Sequence, residues 1–143
     1  MKLTLSTNEA LQLVNALGLA QTSLKGASLR LGLRLAYNVK QLAAIVSVFE
    51  EERKKLIDAY AERDENGETV LFTDESGAQR VNLTDSAAFV KATEELLSEK
   101  FDVELKELTA DILPETIDAD LVAGLFLIIS DPDELAPAAP AAA

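Results

Sequence analysis

The first 24 residues alternate polar and apolar side chains and then change to a helical repeat. Residues 2–5 (KLTL) alternate strictly, which predicts a short β-strand. Ser6, followed three residues later by Glu9, has the pattern of a capping box at the start of a helix. The next apolar side chains return every three or four residues, at Leu13, Leu17, Ala20 and Leu24. We therefore predict a first helix over residues 7–24.

A second, much longer helix is predicted after Gly26. Its apolar positions alternate spacings of four and three residues, which is the spacing of a heptad repeat. They are Leu35, Val39, Leu42, Val46, Phe49, Leu56 and Tyr60. Further apolar positions widen this stripe, which favours packing inside a domain over a two-stranded coiled coil. The helix is predicted to begin near residue 27 or 28 and to run to about residue 63, with Asn66-Gly67 as its stop signal.

A β-hairpin and a third helix are predicted next. Residues 68–73 and 79–83 have the side chains of strands, and they flank a turn at residues 74–77 (DESG). Thr84 is predicted to cap a third helix, which runs from residue 85 to about residue 99. This part of the chain is therefore predicted to combine strands with a helix.

The last elements are predicted to be a strand, a short helix and a tail. Residues 101–105 (FDVEL) alternate, and residues 2–5 are their predicted antiparallel partner. Asp118 is predicted to cap a short apolar helix that ends at Ile129. From residue 131 onward the chain contains Asp, Pro and Glu, followed mainly by Ala and Pro, so residues 131–143 are predicted to be flexible or extended.

The predicted fold class is α+β, in a single domain over residues 1–130. It comprises a long helix paired with a second helix, a third helix, a small antiparallel sheet with a β-hairpin, and a short apolar C-terminal helix. The apolar run at its end is too short for a membrane span, which requires about 20 residues. No membrane partner is therefore expected.

Composition excludes several kinds of chemistry. The chain has no cysteine and no histidine, so it lacks thiolates, the commonest general base and the commonest metal ligand. No glycine-rich phosphate loop is present. Clusters of carboxylates, such as Asp58, Glu62 and Glu65, lack the spacing of a calcium loop and are interpreted as solvated surface. The expectation is a protein that is not an enzyme, with no catalytic residue, cofactor or metal.

The net charge of −12 is divided unevenly along the chain. Residues 1–49 have a net charge of +4, and no acidic residue lies between Ala10 and Phe49, whereas residues 50–143 have a net charge of −16. The two halves are predicted either to pack together within one chain or to meet between copies or partners. Direct binding of nucleic acid is not expected, because phosphate repels an acidic protein.

Two groups of residues are candidates for a protein interface. The basic candidates are Arg30, Arg34, Lys40 and Arg53. Arg53 interrupts the heptad stripe, and two interpretations are open. In the first, its aliphatic carbons pack while its guanidinium reaches solvent, and in the second, the guanidinium forms a buried pair with a carboxylate of a partner. The apolar candidates belong to the last helix and are Leu121, Leu125, Phe126 and Ile129.

Four segments carry a resemblance to a known family. They are residues 1–5 (MKLTL), residues 49–57 (FEEERKKLI) with the later DENG turn, residues 101–105, and the short apolar last helix. In this order they resemble a family of small, uncharacterised proteins of tailed bacteriophages and prophages, encoded among late structural (tail-region) genes. The resemblance covers roughly residues 1–129 and excludes the Ala/Pro tail.

The resemblance implies a structural or assembly protein of the virion, tail or neck, located in the virion or in the host cytoplasm during assembly. The implied partners are other phage structural proteins or copies of the chain itself, in an oligomer or a larger assembly. An alternative is an acidic phage-encoded inhibitor that mimics DNA or captures a host protein, since 24 acidic residues follow Phe49.

Overall fold

The computed structural model describes residues 1–24 and 28–130. The elements, in chain order, are β1 (Lys2–Ser6), α1 (Thr7–Ser23), α2 (Leu29–Tyr60), β2 (Leu71–Thr73), β3 (Gln79–Val81), α3 (Ser86–Ser98), β4 (Lys100–Glu104), α4 (Ala119–Leu125) and a 3₁₀ turn (Phe126–Ile128). The predicted α+β class is confirmed. Within the described ranges, no helix is both long and apolar enough to cross a membrane.

The chain forms two compact units. Unit 1 contains residues 1–46 together with those from Lys100 onward, and unit 2 contains residues 47–99. Helix α2 contributes residues to both. The single domain predicted for residues 1–130 stays a prediction, and the predicted tail lies outside the described residues.

The sheet of unit 1 pairs the first strand with the last, as predicted. Strands β1 and β4 are antiparallel, with Leu3 opposite Val103 and Leu5 opposite Phe101. These four apolar side chains join the core or pack against it, whereas on the other face the Thr4 hydroxyl donates to the Asp102 carboxylate at 2.7 Å. Strict alternation therefore places one side of the ribbon inward and leaves the other in solvent.

The helices of unit 1 share one hydrophobic core. The predicted capping box begins α1: Glu9 N–H donates to the Ser6 hydroxyl, and Ser6 N–H donates to the Glu9 carboxylate. Buried side chains of all three helices then meet in this core, among them Leu13 and Leu17 of α1, Leu31 and Leu35 of α2, and Leu125 of α4. The helical spacing of these leucines explains why each helix buries a single face.

A buried asparagine fixes α2 to the irregular segment that follows β4. Asn38 is fully buried, its side-chain amide donates to the Lys106 carbonyl at 2.8 Å, and its side-chain oxygen accepts from Lys106 N–H at 2.7 Å. Two further residues bind the same segment: Arg34 of α2 donates to the Glu107 carbonyl, and the hydroxyl of Ser28, directly before α2, donates to the Ile112 carbonyl at 3.3 Å. Backbone groups that lack a strand partner are thereby satisfied.

Within unit 2, α2 ends at Tyr60, which is earlier than predicted. The predicted stop signal instead forms the tip of a separate hairpin over residues 61–70, and a second hairpin joins β2 to β3. The two tips repeat one pattern ten residues apart, Asp-x-x-Gly. Asp64 and Asp74 each accept two backbone N–H groups, and both Gly67 and Gly77 have positive φ. Glycine adopts this conformation without a steric penalty.

Three backbone hydrogen bonds tie these hairpins together in a closed ring. Glu62 N–H donates to the Asn82 carbonyl, Asn82 N–H to the Val70 carbonyl, and Val70 N–H to the Glu62 carbonyl, at 2.8–2.9 Å. The Asn82 side-chain amide also donates to the Glu62 carboxylate. Unit 2 therefore depends on turn chemistry and backbone pairing, since Phe49 and Ala61 are its buried apolar residues.

Replacing Asn38 by Ala is expected to lower the free energy of unfolding by about 2 kcal/mol, because it removes two hydrogen bonds that this fully buried side chain makes to the Lys106 backbone. Asn38→Asp keeps the acceptor but removes the donor and buries a charge, so it should destabilise as much or more. Urea denaturation measures both. Asn15→Ala, at an exposed site on α1, is the control and should change stability by less than about 0.5 kcal/mol. Equal effects at both sites would contradict the role of Asn38.

The Asp74 carboxylate gives unit 2 a dependence on pH. Hydrogen bonds from the Ser76 hydroxyl and from Arg80 hold the pKa of Asp74 well below its usual range. A carboxyl group whose pKa is lower in the folded state stabilises the fold above its unfolded pKa, and this contribution is lost as the pH falls through the folded pKa. Asp74→Asn should therefore lose less stability than the wild type between about pH 5 and pH 2.

Urea denaturation at several pH values measures this difference. Glu75→Gln removes one charge from the same turn but none of these hydrogen bonds, so its pH dependence should follow the wild type. Parallel curves for Asp74→Asn and the wild type would show that the bonds of Asp74 do not stabilise the turn.

Candidate protein-interaction surfaces

The predicted basic candidates of unit 1 have different environments. Arg34 is half-buried and bound to the backbone of Glu107, so it supports the fold. Arg30 is exposed and forms an ion pair at 3.4 Å with Asp111, whose pKa is lowered by a hydrogen bond from Thr109 and, to a smaller extent, by Arg30. Lys40 is exposed. Arg30 and Lys40 are therefore the two basic candidates whose charges a partner can reach in unit 1.

Arg53 lies in unit 2 with a half-exposed side chain. Its nearest carboxylate is that of Glu50, 3.9 Å away and one turn earlier on the same helix. Because both side chains are about half exposed, the hypothesis of a buried pair is wrong. The guanidinium reaches solvent, where such a pair contributes little to stability.

The predicted apolar candidates divide between core and surface. Leu121 and Leu125 are buried in unit 1 on the face that α4 turns to the core, and Ile129, beyond the 3₁₀ turn and so outside the helix predicted to reach it, is buried in the same core. Phe126 points outward and is 56% exposed, and Leu127, which was not among the candidates, is 40% exposed. Phe126 and Leu127 are therefore the side chains of this segment that a partner can contact.

A groove runs between α1 and α4 in unit 1, and we call it the α1–α4 groove. One end has a volume of about 330 Å³ and the other about 400 Å³, and both are lined by Gln12 and Gly124. Its floor contains the buried Leu13, Ala16 and Leu121, and its walls contain Leu19, Phe126 and Leu127. Residues from the end of α1 lie beside the start of α4, so the two helices are antiparallel.

Gly124 allows the two helices to approach closely. A Cβ atom built at this position would lie 2.8 Å from the Cβ of Ala16, closer than packed carbon atoms can be. The absence of this side chain therefore sets the depth of the groove at its centre. Gly18 of α1 has no such neighbour.

The charges that line the α1–α4 groove are all negative. Asp118 and Asp120 lie at one end and Glu9 lies at the other, and no basic side chain among the described residues lines the groove. The pKa of Glu9 is lowered by hydrogen bonds from the backbone and hydroxyl of Ser6, so its carboxylate stays ionised at neutral pH. Asp118 accepts from Asp120 N–H as the cap of α4. The groove is thus apolar in its floor and acidic at both ends.

A second surface lies on the outer face of α2, and we call it the α2 ridge. Leu29, Leu33, Ala36 and Lys40 follow at spacings of four, three and four residues, so they share one face of the helix, and Arg30 flanks it. Leu29 is 79% exposed and Leu33 is 62% exposed. The ridge is therefore apolar and basic, without an acidic side chain.

Unit 2 carries a shallow groove of its own, of about 460 Å³. Ile57, Phe72 and Phe89 supply apolar lining, and Arg53 and Arg80 supply positive charge. The ring of Phe89 packs edge-on against Tyr60, with centroids 6.0 Å apart. Because Arg80 is bound to the Asp74 carboxylate, its positive charge is already compensated.

The described residues contain no group of three or more acidic side chains placed to hold a metal ion. In the same residues, no buried side-chain nitrogen or oxygen lacks a hydrogen-bond partner. The exposed surfaces described above combine apolar side chains with charged ones. Comparison of the chain with protein-family models, with curated proteins and with solved structures found no match.

The sequence analysis did not single out Leu19, Leu29 and Leu33. Leucines near these positions recur at every second residue, as at 29, 31, 33 and 35, so they lie on more than one face of the helix and the pattern does not show which of them face the core. The stripe starting at Leu35 was correctly identified because it is long. The sequence did contain a signal for the ridge, because Leu29 and Leu33 are four residues apart and lie on a different face of the helix from the stripe that begins at Leu35.

Replacing Gly124 by Ala is expected to lower the free energy of unfolding by about 1–3 kcal/mol, because the new methyl group overlaps Ala16 and forces the helices apart. Gly18→Ala makes the same change at an open site on α1 and should raise stability by up to about 1 kcal/mol. Adding Ala16→Gly to Gly124→Ala should recover most of the loss. Urea denaturation tests all three, and similar effects at positions 18 and 124 would contradict the close approach.

Proposed function

We propose that this chain is a non-enzymatic structural or assembly protein of a tailed phage, a component of the virion, tail or neck, that acts through protein contacts. The observation that supports contact-based function most strongly is the exposure of large apolar side chains on two surfaces of unit 1. Leu19 and Phe126 project from the α1–α4 groove, and Leu29 and Leu33 project from the α2 ridge. The resemblance of the sequence to phage late proteins supplies the setting.

Two surfaces on one unit favour assembly over a single binding event. Clustered apolar side chains with a charged rim mark protein-interaction sites. A chain that carries two such surfaces can contact two neighbours at once, as the subunit of a particle must. The opposite charges of the surfaces favour defined partners and orientations.

An inhibitor that mimics DNA or captures a host protein is the alternative, and the charge of unit 2 favours it. Residues 47–99 contain fourteen acidic and six basic side chains, a net charge of −8. If the chain competes with DNA for a host enzyme, increasing amounts of it should release that enzyme from labelled duplex DNA in a salt-dependent manner. An assembly protein should not compete in this way.

Disruption of the gene in the phage or prophage that carries it tests the assembly proposal. The expected result is a large loss of infectious particles, with incomplete particles visible by electron microscopy. Supplying the wild-type chain should restore infectivity, and supplying Leu33→Glu should not, because the charge disrupts the α2 ridge. Val48→Glu, an equally simple change at an exposed apolar residue of unit 2, is the control and should restore it. Normal particle yield without the chain would refute the proposal.

A further inference from the structure

We propose that the α2 ridge of one copy of this chain lies in the α1–α4 groove of a second copy, which joins copies head to tail. This inference rests on the proposed assembly function and identifies one partner as the chain itself. Both surfaces belong to unit 1, and three features of the described residues support their pairing: length, charge and apolar shape.

The lengths of the two surfaces match. Leu29 and Lys40 are eleven positions apart in α2, which corresponds to about 17 Å of helix. The groove extends along α1 from Glu9 to Ser23, about 21 Å. A ridge of three helical turns can therefore lie within the groove with both of its ends covered.

The charges match at both ends. Arg30 and Lys40 are about 15 Å apart along α2, near the two ends of the ridge. The groove has carboxylates at each end, from Glu9 on one side and from Asp118 and Asp120 on the other. A ridge helix aligned with α1 places one basic residue near each acidic end. Among the described residues that line the groove none is basic, although Lys100 lies near enough to Glu9 to act on its charge.

The apolar side chains match between these ends. Leu29 and Leu33 stand one turn apart on the ridge, and both are mainly in solvent. The groove provides an apolar floor and the exposed walls formed by Leu19 and Phe126. Pairing would remove apolar surface from water on both partners, at about 25 cal/mol per Å² of buried area.

The ridge can dock without a costly rearrangement of unit 1. The exposed Arg30–Asp111 ion pair competes with a partner for Arg30, and an exposed pair of this kind contributes little to stability. Arg34 and Asn38, which fix α2 to the core, lie off the ridge and are undisturbed. Because ridge and groove are different surfaces, each copy keeps one of each free, and the contact generates a ring or an open chain.

A complementation experiment tests the proposal with one substitution placed at each surface. Leu33→Glu disables the ridge by bringing a carboxylate to an acidic groove, and Leu19→Glu disables the groove by removing an apolar wall. By light scattering, the wild type should exceed the 15.4 kDa of one chain at high protein concentration, and each variant alone should have the mass of one chain. An equimolar mixture should double that mass and stop there, because the remaining ridge and groove both carry Glu.

Val48→Glu is the matched control and should assemble like the wild type, since Val48 is exposed but lies in unit 2. Leu29→Glu and Phe126→Glu form a second pair of variants, for use if circular dichroism shows that either first variant is unfolded. The proposal is overturned if the wild type has the mass of one chain at all concentrations, if the mixed variants fail to dimerise, or if Val48→Glu abolishes assembly.

The two proposals fail in different ways. A wild-type chain that stays single while gene disruption abolishes particles would refute self-association and leave the assembly function standing, with a different protein on these surfaces. Self-association in solution together with normal particle yield would refute the assembly function alone.

Discussion

The side-chain amide of Asn38 supplies the constraint on which unit 1 depends. In the segment after β4, Leu108 forms backbone hydrogen bonds with Ile128 and Ser130, whereas the backbone of Lys106 and Glu107 is bound by side chains of α2. Asn38 satisfies both the N–H and the carbonyl of Lys106, in the way that a neighbouring strand would. Arg34 of α2 and Ser28, directly before the helix, extend this attachment to Glu107 and Ile112. These hydrogen bonds, together with hydrophobic packing, fix the rotation of α2 about its own axis.

Once the rotation of α2 is fixed, its surface is fixed as well. The face that carries Leu31, Leu35 and Asn38 packs against the core. Leu29 and Leu33 lie on another face and are therefore exposed to solvent. In the same unit, Gly124 allows α4 to lie close to α1, and the two helices border an apolar groove with exposed walls. The uneven charge of the sequence follows the same division, because the ridge belongs to the stretch without acidic residues and the groove is closed by carboxylates at both ends. The hydrogen bonds of the buried Asn38 thus help to determine which face of α2 is exposed to a partner.

Much of this fold can be predicted from local chemistry. The capping box at Ser6, the alternation of β1 and β4 and the stripe from Leu35 each depend on near neighbours in sequence, and all were predicted correctly. The end of α2 was placed too late, because a helix and a hairpin compete for residues 61–70 and the ring of backbone bonds from residues 62, 70 and 82 decides between them. The burial of Leu121, Leu125 and Ile129 likewise depends on distant packing. Contacts between residues far apart in sequence leave no periodic signal, so the groove and the role of Asn38 required coordinates.

The central claim is that one copy's α2 ridge occupies another copy's α1–α4 groove, and disulfide trapping measures this contact directly. The chain has no cysteine, so Leu33→Cys and Leu19→Cys introduce single thiols without background. When the two variants are mixed and mildly oxidised, the account predicts that the mixed dimer linking positions 33 and 19 forms faster than either symmetric dimer, since a disulfide needs Cα atoms within about 7 Å. Mass spectrometry of the linked peptides distinguishes the three products. Val48→Cys, mixed in place of either variant, is the control. The account is contradicted if the three dimers form in the statistical ratio and if this ratio is the same in the control mixtures.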